Sequence, residues 1–165
     1  MAISEYLKDL RSKVGHQLLQ VPSVAAIIRD EKNRILLQKT SEGFCSLPAG
    51  AIEPGEPPAC AIVREVWEET NLIVRPLRVV GVFGGADGFR YTYSNGDIVE
   101  YTIILFECET IGGKIGGRDG ETLKLEYFPP EKMPTLPVNY PRELFLQSTE
   151  KIYFEWNEKW LEELK

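Results

Sequence analysis

The sequence predicts a mixed α/β (α+β) domain in which a curved, mixed but mainly antiparallel sheet carries one acidic helix, with a further helix at either end of the chain. Three observations lead there. Between Gly50 and Leu72 a Gly/Pro-rich loop becomes a run of helical period, with apolar Ala59, Ile62, Val63 and Val66 on one side and Glu65, Glu68 and Glu69 on the other. β-rich runs separated by turn residues recur from Val21 to Phe128. The 165 residues show no repeat and no second block of composition, and that length buries one core rather than two.

Taken in order, Ile3, Tyr6, Leu7, Leu10 and Val14 stand at helical spacing and predict a short amphipathic helix over 3–14, within an extension spanning 1–18. Val21–Arg29 and Arg34–Lys39 flank the turn Asp-Glu-Lys-Asn and read as a hairpin. The unbroken apolar run Val24–Ile28 is that of a strand covered on both faces. Residues 41–50 read as a loop with a short extended piece at 44–47. Pro57 and Pro58 suit the first turn of a helix over 57–70, which Asn71, tolerant of the left-handed conformation, would stop. Strands follow at 72–82, 89–93, 98–108 and 123–128, the middle pair joined by the hairpin signal Asn95-Gly96. Five glycines mark 111–120 as a flexible segment. From 141 to 165, Leu144, Phe145, Ile152, Trp156, Trp160 and Leu164 predict a C-terminal helix, with Trp156 and Trp160 packing it and offering a homodimer contact.

Composition narrows the function. Hydrophobic residues at 43% and charged residues at 27% are ordinary for a globular protein. A net charge of −6 and a pI near 5.0 give no basic field for nucleic acid or an anionic membrane. Cys45, Cys60 and Cys108 are odd in number and far apart, and His16 is the one histidine, so neither a disulfide framework nor a zinc site is predicted. These thiols read as reduced and mostly buried. With no signal-peptide core and no apolar run of membrane-spanning length, the expected compartment is the cytoplasm.

The chemistry concentrates in the acidic helix. Positions i, i+3 and i+4 bring Glu65, Glu68 and Glu69 within reach of one point, where like charges repel unless something positive sits between them. A hard divalent cation such as magnesium would relieve that repulsion. Taken alone, such a triplet reads as a solvated acidic face.

Its surroundings argue otherwise. Gly50, Glu56 six positions on, and Arg64-Glu65-Val66-x-Glu68-Glu69-x-x-Leu72 resemble the signature box of the Nudix hydrolase family, G-x5-E-x7-R-E-U-x-E-E-x-G-U, where U is bulky and apolar. Asn71 replaces the last glycine, at a position where both residues serve a positive φ. The Ser46-Leu47-Pro48-Ala49-Gly50 run and the early strands extend the likeness over roughly Val21 to Phe128.

The resemblance implies an α/β/α sandwich and a pyrophosphohydrolase that uses Mg2+ or Mn2+ and cleaves a nucleoside diphosphate linked to another group, water attacking phosphorus. Glu65 and Glu69 would be metal ligands, Glu68 a ligand or the residue that orients water, and the Ala49 carbonyl a further ligand. Glu56 and Arg64 would form an ion pair internal to the box. Glu121 is the candidate base on a later loop, Glu100 a weaker one. Arg90 and Arg118 are candidate phosphate contacts, and Phe44 and Tyr91 candidate stacking partners for a base. For each of these the bland reading is a solvated charge or a packing aromatic. Substrate stays open among nucleoside triphosphates, nucleotide sugars, dinucleoside polyphosphates and capped RNA 5′ ends. The segment 82–89 lacks the proline that the ADP-ribose branch tends to carry. The rival function is a non-catalytic Nudix-like module that senses nucleotides or binds a partner, which loss of box carboxylates would favour; all are present.

Overall fold

The computed structural model describes residues 4–40, 43–116, 122–147, 150–162 and 164, and it is mixed α+β as expected. Helix α1 (Glu5–Val14) starts at Ser4, whose Oγ accepts the Leu7 N–H at 3.1 Å, and stops at Gly15 with φ 63. It leads into β1 (Leu19–Ile28), the spine of the molecule. Along one edge β1 pairs in parallel with β7 (Ile98–Gly113), and along the other it pairs antiparallel with β4 (Ala49–Ala51). Beyond β7 lie β5 (Leu72–Phe83) and the short β6 (Arg90–Thr92), and the outer edge of β5 takes β9 (Tyr153–Phe154). A second sheet has the order β3 (Cys45–Ser46), β2 (Ile35–Thr40), β8 (Thr122–Phe128).

The expected hairpin of the first two strands is therefore corrected. Its turn forms, with Asp30 Oδ1 accepting the N–H groups of Lys32 and Arg34 at 3.0 and 2.9 Å and Asn33 at φ 59. Only an isolated bridge, Arg29 to Ile35, then joins the strands among the described residues. Both edges of β1 are taken by β7 and β4, so β2 must pair elsewhere, and it enters the second sheet.

Helix α2 (Pro58–Thr70) covers β1, β5 and β8. Pro57 is extended at its start and Asn71 is left-handed at its end, φ 59 and ψ 17, with its N–H on the Trp67 carbonyl. The packed residues are Ala61, Ile62 and Val66, set against Val24, Ala26, Ile28, Leu36 and Phe106. Ala59 is exposed, so the apolar stripe is rotated from the expected one. The same rotation puts Glu65 and Glu69 on the buried side, 6% and 3% exposed, rather than on a solvated face. Odd-numbered β1 residues turn to the other side, where Ala25 and Ile27 join Ile35, Phe83, Phe89, Leu105 and Phe145.

The single C-terminal helix over 141–165 does not form. In its place stand α3 (Glu143–Leu146), β9 and α4 (Lys159–Glu162), the helices one turn each. Tyr153 stacks on Phe83 at 5.2 Å and β9 takes the open edge of β5, so tertiary pairing of an aromatic segment overrides the helical period. Trp156 and Trp160 pack edge to face with each other at 5.7 Å and are 54% and 43% exposed, not buried against the core. Gly112 and Gly113, expected in a flexible segment, extend β7 opposite Ile73 and Leu72. Cys108 is buried, Cys45 half-buried and Cys60 exposed, and all three are free thiols. Among the described residues no helix is long and apolar enough to cross a membrane.

Candidate active site

The loop from β4 into α2 folds back on the helix through Arg64. Its guanidinium donates to both carboxylate oxygens of Glu56 at 2.9 and 2.8 Å and to the Ala51 carbonyl at 3.0 Å. This bidentate pair joins loop to helix, as expected of the internal ion pair. Glu56 is held below the usual carboxylate range, chiefly by Arg64. Nη1 of Arg64 reaches further, to Glu65 Oε1 at 2.7 Å and Glu68 Oε2 at 3.3 Å. One cation thus gathers three glutamates.

Glu69 is turned the other way. Its Oε2 accepts the Ala49 N–H at 2.9 Å and its carboxyl also bonds the Gln38 side chain. Burial pushes it up to about 8, with Glu65 adding repulsion and the Gln38 and Ala49 bonds opposing. Burial likewise raises Glu65, against the pull of Arg64. Glu68, with its side chain 44% exposed, stays at the solvent edge.

Ladder bonds Ala26 N–H to Pro48 C=O and Ile52 N–H to Pro22 C=O alternate along the β1–β4 pairing. Ala49, opposite Ala25, falls in the non-bonded register, so its N–H and C=O both point away from β1. The N–H meets Glu69, and the C=O opens to the same side.

The donors here are all oxygens: two buried carboxylates short of positive charge, a half-exposed third, and an outward carbonyl. That chemistry fits a hard divalent cation. Among the described residues no three acidic, His or Cys side chains are already gathered closely enough to hold an ion.

Glu69, Ala49 and Gly50 form one end of a cleft of about 560 Å³. Phe44, Arg90 and Tyr91 line it, so the structure brings these three expected residues together with the box. Arg90 is bonded through Nη2 and Nε to Glu100 Oε2 at 2.7 and 3.0 Å, which holds Glu100 below the usual carboxylate range and makes it a poor base. Phe83 and Phe89 are core residues. Glu121 and Arg118 lie outside the described residues.

Three contributors escaped sequence reasoning. Gln38, 5% exposed, ends the apolar run Ile35-Leu36-Leu37, and a polar residue at the next inward position was its signal. Tyr101, bonded by its hydroxyl to Tyr93, lines the cleft, and burial raises it, with Tyr93 adding. Arg11 of α1 lines it too, and its partners, three backbone carbonyls and the Asp97 carboxylate, are ones that no pattern announces.

A buried acidic helix end, a loop locked to it by one arginine, and an adjoining cleft thus stand together in the fold. The NUDIX domain model matches residues 19–148, and the chain belongs to the Nudix family of hydrolases. An ADP-ribose pyrophosphatase of Methanocaldococcus jannaschii is 30% identical over 140 residues, covering 82% of this chain and 76% of that protein. Among solved structures, an ADP-ribose pyrophosphatase from Streptococcus suis superposes with TM-score 0.64 at 25% identity, covering 82% of this chain and 98% of that one. A MutT protein from Methanosarcina mazei gives TM-score 0.62 at 27% identity, covering 79% and 93%.

Proposed function

We propose that this pyrophosphatase hydrolyses a nucleoside diphosphate linked to a second group, with ADP-ribose the first substrate to test, and that it does so with Mg2+ or Mn2+. The observation that carries the reading is the placement of the buried Glu69, with the outward side of Ala49, at one end of a cleft whose remaining walls are largely aromatic and apolar, the buried Glu65 lying one helical turn earlier against Gly50. Two similar proteins named for ADP-ribose support the choice of first substrate.

Glu65, Glu69, Glu68 and the Ala49 carbonyl would hold the cation. When bound, a divalent ion supplies positive charge that lets a phosphoanhydride lie beside carboxylates, offsets charge on the leaving phosphate and acidifies water. The rest falls to the chain. Arg64 keeps Glu65 in place and Glu56 keeps Arg64 in place, so the carboxylates meet the substrate without rearranging the helix. Ala49 N–H and Gln38 aim Glu69. Glu68, at the solvent edge, orients the attacking water once it leaves Arg64. Glu121 is the candidate base. Phe44 and Tyr91 offer ring faces, and Arg90 and Arg118 are candidate phosphate contacts.

The test is a panel of ADP-ribose, other nucleotide sugars, nucleoside triphosphates and dinucleoside polyphosphates with Mg2+ or Mn2+, scored for phosphate-containing products. Turnover lowered at least about 100-fold in Glu65→Gln and Glu69→Gln is expected. Turnover of nothing, or variants that match the parent, would sink the proposal.

A further inference from the structure

The cleft is longer than the box requires. Along β1, Ala25 pairs with Ala49 at the carboxylate end, and Val21 pairs with Tyr101 four residues earlier. At the rise of a strand that is about 13 Å. The far end is where α1 docks, outside the family domain, which begins at residue 19.

Helix α1 has no buried residue, so it adds little to the core. Leu7 packs beside Val21, Ala51 and Val99, next to Tyr93 and Tyr101. Arg11 ties the helix down: Nη1 donates to the carbonyls of Gly15 and Gln17 at 3.1 and 2.6 Å, Nη2 to that of Ile98 at 2.7 Å, and Nε lies 3.6 Å from Asp97. Asp97 is held in turn by His16 Nδ1 at 2.8 Å and Asn95 at 3.0 Å. The Arg11 and Asp97 side chains are only 15% and 14% exposed. So many bonds on a helix that has no fully buried residue fix its position against the sheet. Leu7 and Arg11 both border the cleft.

We propose that α1 is the specificity-determining wall of this cleft. Leu7 closes, with Tyr91, Tyr93 and Tyr101, a subsite for the planar base of the nucleotide, and Arg11 is the positioning residue that sets Leu7 against the turn between β6 and β7. The ring faces and Leu7 suit a flat heteroaromatic ring, while Asn95 and Asp97 line the same cleft and supply polar atoms. This rests on the nucleotide reading above and adds where the base is read.

The test uses two probes on the full chain with Mg2+: adenosine 5′-(α,β-methylene)diphosphate, which carries a base, and methylenediphosphonate, which does not. Leu7→Ala and Arg11→Ala should each weaken the first by roughly tenfold and leave the second unchanged. Leu7→Trp, which fills the subsite, should do the same, and thermal unfolding of each variant confirms that the fold is kept. For any substrate turned over, KM should rise with kcat held. The inference is overturned if both probes weaken together, if neither changes, or if the nucleoside analogue does not bind. Absence of turnover with binding still dependent on Leu7 would overturn the hydrolytic reading alone.

Discussion

The carboxylate of Glu65 occupies the space that a side chain at Gly50 would fill: a Cβ built there falls 1.9 Å from Glu65 Cδ. Glycine opens the box for this reason of space, not of backbone angle. Gly50→Ala should therefore displace Glu65 while leaving β4 paired. The expected cost is about 1–3 kcal/mol in urea unfolding, together with a loss of kcat/KM approaching that of Glu65→Gln. An alanine variant with full activity would show that Glu65 needs no fixed seat.

Glu69 makes the metal-free protein sensitive to pH. Its carboxyl titrates near 8 in the fold and near 4.5 in an unfolded chain. The folded state thus binds the extra proton, so its contribution to stability is complete below pH 4.5 and is lost as pH rises toward 8. In EDTA, melting temperature should fall between pH 5 and 8. Glu69→Gln, which has the shape of the protonated group, should flatten that slope and melt several degrees higher at pH 7.5.

Metal binding should release a proton from the same group. Calorimetric titration of Mn2+ in two buffers of different ionisation enthalpy is expected to show proton release at pH 6.5 that declines toward pH 9. Equal heats in both buffers at pH 6.5 would mean that Glu69 is not a ligand.

Arg64 should resist replacement by lysine. A point charge cannot bridge both Glu56 oxygens, Glu65 and the Ala51 carbonyl at once. Arg64→Lys is expected to lower stability by about 1–2 kcal/mol and to cut kcat more than it raises KM, since it disturbs geometry rather than substrate contact. Unfolding and steady-state kinetics on one preparation decide it.

Asn71 stands where the family box has glycine. At φ 59 it closes α2 and its side chain donates to the Lys114 carbonyl at 2.9 Å. Asn71→Gly should be nearly neutral, and Asn71→Ala should cost about 1–2 kcal/mol through left-handed strain, both measured by thermal unfolding.

What the sequence by itself determined lies within short separations: the bounds of α2, the left-handed stop at Asn71, the Asn95-Gly96 turn and the Glu56–Arg64 pair. Turn chemistry, helical period and a fixed charge spacing are local properties, and they survive folding unchanged. What only the tertiary structure decided involves competition for edges and faces. β1 gave both edges to β4 and β7, which sent β2 into another sheet, and the open edge of β5 captured Tyr153–Phe154 from an expected helix. The rotation of α2 buried Glu65 and Glu69, and burial, absent from any spacing, raises their pKa values. Gln38 reached Glu69, and Arg11 reached a carbonyl 87 positions away at Ile98, because folded strands place distant backbone groups side by side. A pattern of residue types records which side chains are available, and only the packed chain settles which of them meet.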